Sequence, residues 1–145
     1  TSAPKLYLSD ALSSTMNRIE LQSGNYSWNY LDKGETTSMV ACGLHPLDKG
    51  AGGEEKVKLP DYNGIDFVSY LVSSEASPDS LLVSEWDAAD EGNVEAKPNY
   101  EKVYEEAFFI EVKPDKIYEI TAVWKDEKLE ERGFSGEASY VLKTE

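Results

Sequence analysis

The residues with the sharpest chemistry are single copies: Cys42 is the only cysteine and His45 the only histidine. They lie three apart in Met39-Val40-Ala41-Cys42-Gly43-Leu44-His45-Pro46. In extended chain that spacing turns the two side chains to opposite faces, roughly 10 Å apart. Catalytic Cys–His pairs are usually distant in sequence and adjacent in space. Cys42 therefore reads as a small apolar side chain at a strand end, and His45 as a loop residue before Pro46 rather than a metal ligand. Zinc ribbons, iron–sulfur clusters and multi-cysteine disulfide scaffolds are excluded by count.

The carboxylates are abundant where cysteine and histidine are scarce. The chain carries 28 Asp+Glu against 14 Lys+Arg, a formal charge of −14. The excess is uneven: residues 1–52 hold 4 basic and 5 acidic side chains, whereas residues 75–111 hold 11 acids and 2 lysines. Within that stretch Asp87-Ala88-Ala89-Asp90-Glu91-Gly92-Asn93 offers hard oxygen ligands and a glycine for a sharp turn, so Asp87, Asp90 and Glu91 are candidate calcium ligands. An EF-hand loop fails, because Ala89 takes the third position and Pro98 the twelfth. An inter-strand calcium loop stays open beside the plainer alternative of a solvated acidic loop, which is preferred. A glycosidase needs two carboxylates held about 5 or about 6.5–9.5 Å apart with one pKa raised. Acids this common bring some pair to that distance in any fold, so the pattern has no specificity. No Gly-x-Ser-x-Gly elbow and no phosphate-cradling glycine loop is present.

Three tryptophans and nine tyrosines complete the set. Aromatic side chains on an exposed sheet face can stack on sugar rings. Trp28, Trp86 and Trp124 could supply that platform, with Tyr26, Tyr30 and Tyr70 beside it. The alternative is that Trp28 and Trp124 pin a core between two sheets, and placement at period two among other apolar residues supports the core for Trp124. Trp86 opens the acidic stretch and is expected to be exposed; it is the candidate ligand-binding residue.

The elements that must position these groups are strands. Ile19 and Leu21 alternate with Arg18, Glu20 and Gln22; Tyr26, Trp28 and Tyr30 alternate with Asn25, Ser27 and Asn29. Thr36 to Cys42 is β-branched and apolar. Lys56 to Leu59 predicts a short strand stopped by Pro60. Ile65 to Val72 predicts a central strand with its second half apolar on both faces, and Ser80 to Trp86 follows. Phe108 to Val112, the turn Lys113–Lys116, Ile117 to Lys125 and Ser135 to Lys143 close the chain. Two places have helical spacing: Asp10 to Asn17, and a turn capped by Asn99 with Tyr100, Val103, Tyr104 and Ala107 on one side. Lys49-Gly50-Ala51-Gly52-Gly53-Glu54 is expected to be a mobile loop.

Residues 1–145 thus predict a single all-β domain, an Ig-like antiparallel sandwich of about 8–10 strands. A chain of this length buries about 70% of the surface its unfolded form exposes. A hydrophobic share of 40% is too rich for a disordered chain. No apolar run is long enough for a transmembrane helix. The strong negative charge repels phosphate backbones and anionic lipid, so nucleic acid is not expected as a partner.

Two stretches carry a likeness. Pro114 to Trp124 followed by Gly136 to Leu142 looks like the closing hairpin of Ig-like modules in secreted bacterial proteins, with Tyr118 where a tyrosine corner would form. Gly24-Asn25-Tyr26-Ser27-Trp28 and then Cys42-Gly43-Leu44-His45-Pro46-Leu47 resembles uncharacterised cell-surface lipoproteins of Gram-positive bacteria. Those often read Gly-x-Tyr-Cys-Trp, then a second cysteine before Pro-Leu. Ser27 stands here at the first cysteine position, which leaves Cys42 unpaired. The resemblance implies an extracytoplasmic domain tethered by a lipid anchor upstream of Thr1, and carries no site residues. The expected role is a binding or interaction module for a glycan or protein ligand, touching membrane only through that anchor. A structural accessory domain is the alternative and a carbohydrate-active enzyme the third possibility.

Overall fold

The computed structural model describes residues 3–11, 18–53, 55–61, 64 and 66–145. Ten strands run in chain order: β1 (Leu6–Asp10), β2 (Arg18–Leu21), β3 (Ser23–Asp32), β4 (Glu35–Ala41), β5 (Val68–Ser74), β6 (Ser80–Asp87), β7 (Tyr100–Tyr104), β8 (Phe109–Val112), β9 (Lys116–Trp124) and β10 (Phe134–Lys143). They form two sheets, a four-stranded one ordered β2-β1-β5-β8 and a six-stranded one ordered β4-β3-β10-β9-β6-β7, with every named pair antiparallel. The runs β1-β5-β8 and β10-β9-β6-β7 reproduce the A-B-E and G-F-C-C′ neighbours of an Ig sandwich. The insertion β2–β4 lies between the first two of those strands, and its hairpin β3–β4 covers the edge that β10 would otherwise expose.

Period-two alternation builds the core. Leu6 and Leu8 of β1, Val68, Tyr70 and Val72 of β5, and Ile110 and Val112 of β8 face Leu81 and Val83 of β6, Tyr118, Ile120, Ala122 and Trp124 of β9, and Ala138, Tyr140 and Leu142 of β10. Trp28 packs edge-on against Trp124 with ring centroids 5.2 Å apart, and stacks on Phe134 at the same distance. Trp124 Nε1 donates to Ala76 O and Tyr140 Oη to Pro4 O, so those two rings bury without stranding a donor, whereas Trp28 Nε1 meets no acceptor among the described residues.

Several expectations change. The segment after Asn99 is strand β7: Tyr100, Lys102 and Tyr104 also share a face at period two, and ladder hydrogen bonds to β6 outcompete a short helix that could bury only one side. Lys56 to Leu59 makes only an isolated parallel bridge, Val57 to Thr144. The strand expected from Ile65 begins at Val68, and Ile65 itself lies outside the described residues. Its second half is apolar inward only, since Leu71 faces outward and is exposed. The helical expectation over Asp10–Asn17 falls on residues 12–17 outside the described ones, while Asp10 ends β1. Strand β1 went unrecognised because Leu6-Tyr7-Leu8-Ser9-Asp10 is short and follows Pro4.

The Lys49–Glu54 loop is docked over its described part, Lys49–Gly53. Ala51 is buried, and a side chain at Gly52 would press on Val141.

Candidate binding site

Each predicted site residue has a definite place, and they do not converge. Trp86 was expected at the surface, but its side chain is only 6% exposed. Residues 43–53 fold across the outer face of the six-stranded sheet and bring Leu47 onto Trp86 and Ile117, a small second core. Trp86 Nε1 donates to Ala96 O at 3.0 Å, and the His45 ring meets Trp86 at 6.1 Å. With Trp28 and Trp124 also buried, none of the three tryptophans offers a flat ring to a sugar.

The acidic stretch is partnered by lysines. Asp87 receives Lys116 Nζ and Asn99 Nδ2, and Glu91 lies 3.1 Å from Lys143 Nζ. Both carboxylates are held below their ordinary range, first of all by these lysine hydrogen bonds. Asp90 ends the one-turn helix Ala88–Asp90, and its carbonyl accepts from Asn93 N. Among the described residues no three His, Cys, Asp or Glu side chains come together as a metal-holding group. Cys42 follows the end of β4 and is exposed. His45 accepts Leu47 N–H on Nδ1 at 3.0 Å, a local turn contact.

The arrangement that does converge lies on the inner face of the six-stranded sheet. Leu81, Val83 and Glu85 alternate inward along β6, so a carboxylate takes the third position of an apolar face. In the ladder Glu85 stands directly between Tyr100 of β7 and Tyr118 of β9. The residue is only 4% exposed. Tyr118 Oη donates to Glu85 Oε2 at 2.9 Å and Asn99 Nδ2 to Oε1 at 3.0 Å, while Asn99 N donates to Glu85 O.

Tyr118 Oη also accepts Lys113 N–H at 2.8 Å, closing the β8–β9 corner as a tyrosine corner does. Burial above all, with the Glu85 charge added, pushes the phenols of Tyr118 and Tyr100 up, so both stay protonated donors; the Lys113 contact opposes this only in part.

This carboxylate has neutral donors and no salt bridge among the described residues. It forms the floor of a pocket of about 240 Å³. Tyr100, Lys102 and Tyr104 of β7 line it together with Glu111 of β8 and Lys113, which follows β8. Lys102 Nζ rests 4.9 Å from the Tyr104 ring centre. Donors, acceptors and an aromatic face thus open on one small, polar concavity.

Sequence reasoning passed over Glu85 because it is one acid among many. The available signal was its register, a carboxylate at an inward position of an otherwise apolar strand face. No family model, no curated protein and no solved structure matches the chain.

Proposed function

We propose that this chain is an extracytoplasmic binding module of a bacterial cell-surface lipoprotein, and that its ligand is held in the inter-sheet pocket over Glu85. One observation carries the ligand site: a buried carboxylate, hydrogen-bonded only to neutral groups, at the floor of an open pocket. Burying a carboxylate without a direct ion pair is costly. A purely structural strand position would be filled at lower cost by a leucine or valine, as at Leu81 and Val83. A domain with no ligand would need no pocket with convergent polar groups.

Binding fits better than catalysis, because both oxygens of Glu85 are already engaged by Asn99 and Tyr118. The ligand is a glycan unit or a side chain of a protein partner that brings its own hydrogen-bonding groups between Tyr100, Tyr104 and the two lysines. Display outside a Gram-positive cell, through a lipid anchor upstream of Thr1, is supported by the likeness of Gly24–Trp28 and Cys42–Leu47 to surface lipoproteins.

The test is a thermal melt of the purified domain with a panel of soluble cell-wall and host glycans. A ligand at 100 times its Kd stabilises by about 2.7 kcal/mol, which at this length raises Tm by roughly 5–10 °C. The shift should disappear in Glu85→Gln and in Tyr104→Ala. A shift that survives both substitutions removes the pocket from the proposal. If no glycan moves the curve, the ligand is a protein partner or the domain is an accessory one.

A further inference from the structure

The six-stranded sheet ends in two very different edges. Strand β7 lies at one end and β4 at the other. Sheet edges in soluble proteins are normally blunted by lysine, proline or a bulge. Strand β7 carries Glu101 and Lys102 in its middle, whereas the only charged residue of β4 is Glu35 at its first position, and it has no proline. Strand β4 pairs with β3 over seven residues without a register shift. It is a long, regular, unguarded edge.

The hairpin turn decides which backbone groups that edge presents. Lys33 and Gly34 both have positive φ, 53° and 82°, and Asp32 pairs with Glu35, so the loop is a two-residue type I′ turn. In such a hairpin the flanking pair exchanges both hydrogen bonds, and the pattern then alternates. Glu35, Thr37, Met39 and Ala41 therefore spend their N–H and C=O groups on β3. Thr36, Ser38 and Val40 turn theirs outward, where no backbone partner meets them among the described residues. Their side chains share the outer face of the sheet, and Val40 is 73% exposed.

We propose that the β4 edge pairs antiparallel with β4 of a second copy of this chain, about a two-fold axis at Ser38. In that register Thr36 meets Val40 of the second copy, Ser38 meets Ser38, and Val40 meets Thr36. All three are outward-facing positions, so the seam forms about six backbone hydrogen bonds. Glu35 falls opposite Ala41, and no like charges oppose one another along the strand.

Charge selects this edge over the other. The acid-rich stretch 75–111 contains β6 and β7, at the far end of the sheet. Pairing through β4 places the two acidic edges at opposite ends of one continuous sheet, while pairing through β7 would bring them together. The contact is isologous and closes on itself, as most homodimers do.

Sedimentation velocity of the whole chain across a concentration series, near physiological salt, tests this. The expected result is a monomer–dimer equilibrium. Ser38→Glu should weaken it by about tenfold or more, because it sets two carboxylates face to face across the axis. Ser38→Pro should do the same by deleting an outward N–H that β3 does not use. Val103→Glu on β7 should leave the equilibrium unchanged. A cooperative melt of each variant establishes that it folds; should Ser38→Glu fail this, Val40→Glu replaces it. A chain that is monomeric at every concentration overturns the proposal. So does a dimer indifferent to both Ser38 variants, or one dissolved by Val103→Glu. Capture of a foreign strand by a strictly monomeric chain would overturn it in favour of a heterologous partner.

Discussion

The ammonium of Lys143 lies 3.1 Å from the carboxylate of Glu91 while it donates 2.8 Å to Asp48 O. One buried cation at the end of β10 thus ties the acidic stretch to the loop that covers Trp86. It stands where the carboxylates of that stretch, taken alone, invite calcium.

Replacing it with an uncharged chain of similar length, Lys143→Met, should lower stability by about 1–3 kcal/mol, since a buried charged donor and the carbonyls it serves lose one another. Urea unfolding followed by tryptophan emission reads both the loss and the loosening around Trp86. Calcium and chelator should leave the wild-type midpoint unmoved. A calcium-dependent rise reversed by chelator would return Asp87, Asp90 and Glu91 to the role of metal ligands.

A second ionic clamp has a defined pH signature. Asp79 is nearly buried and accepts from Arg132, Lys128 and the backbone N–H of Lys125. Burial would raise its pKa, but these donors outweigh it and hold the carboxyl far below its usual 3.8. A depressed pKa contributes stability that is present above the unfolded value and is lost as pH falls through the folded one. Asp79→Asn should therefore cost about 2–3 kcal/mol at neutral pH. The gap to wild type should narrow as pH drops below about 4. Equal gaps at pH 7 and pH 3 would show that Asp79 contributes by packing alone.

Gly136 sits where β10 crosses β3, with φ of 140°. A Cβ there would stand 2.1 Å from Ser27 O and 3.0 Å from Trp28 Cα, both backbone atoms that cannot rotate away. Gly136→Ala should cost about 3 kcal/mol or more, through overpacking and an unfavourable φ together. Near-ultraviolet circular dichroism should report the disturbed Trp28–Trp124 contact. A variant with wild-type melting behaviour would contradict the close approach of the two strands.

Tyr118→Phe separates the corner from the pocket. It removes the hydroxyl from both Lys113 N–H and Glu85, and should destabilise by about 1–3 kcal/mol. Glu85→Gln keeps an acceptor for Tyr118 and should cost less. If Tyr118→Phe is neutral in a urea titration, the Tyr118–Glu85 contact contributes nothing to the fold.

How much was legible in the chain differs by element. Lys116–Trp124 and Phe134–Lys143 alternate cleanly because both are central strands with one face against a single core. Trp124 was readable as core for the same reason, whereas Trp28 stayed open between core and surface platform until its place against Trp124 and Phe134 was seen. The segment after Asn99 was not, because its tyrosines satisfy both a helical and a strand period, and only the neighbouring β6 breaks the tie. Trp86 was misread since its burial comes from a loop that folds across it and places Leu47, 39 positions away in the chain, on its ring.

What the sequence by itself determined is the all-β sandwich and its inward positions, because alternation at period two is a local property that any single core enforces. It also determined that cysteine clusters and phosphate-binding loops are absent, since those depend on residue count and spacing alone. Only the tertiary structure decided which carboxylates meet a lysine and which one, Glu85, is buried between two tyrosines without one. It alone left β4 as an unguarded edge. Those outcomes depend on distances between residues remote in sequence, and a charge placed on a strand face does not know which strand will be laid beside it.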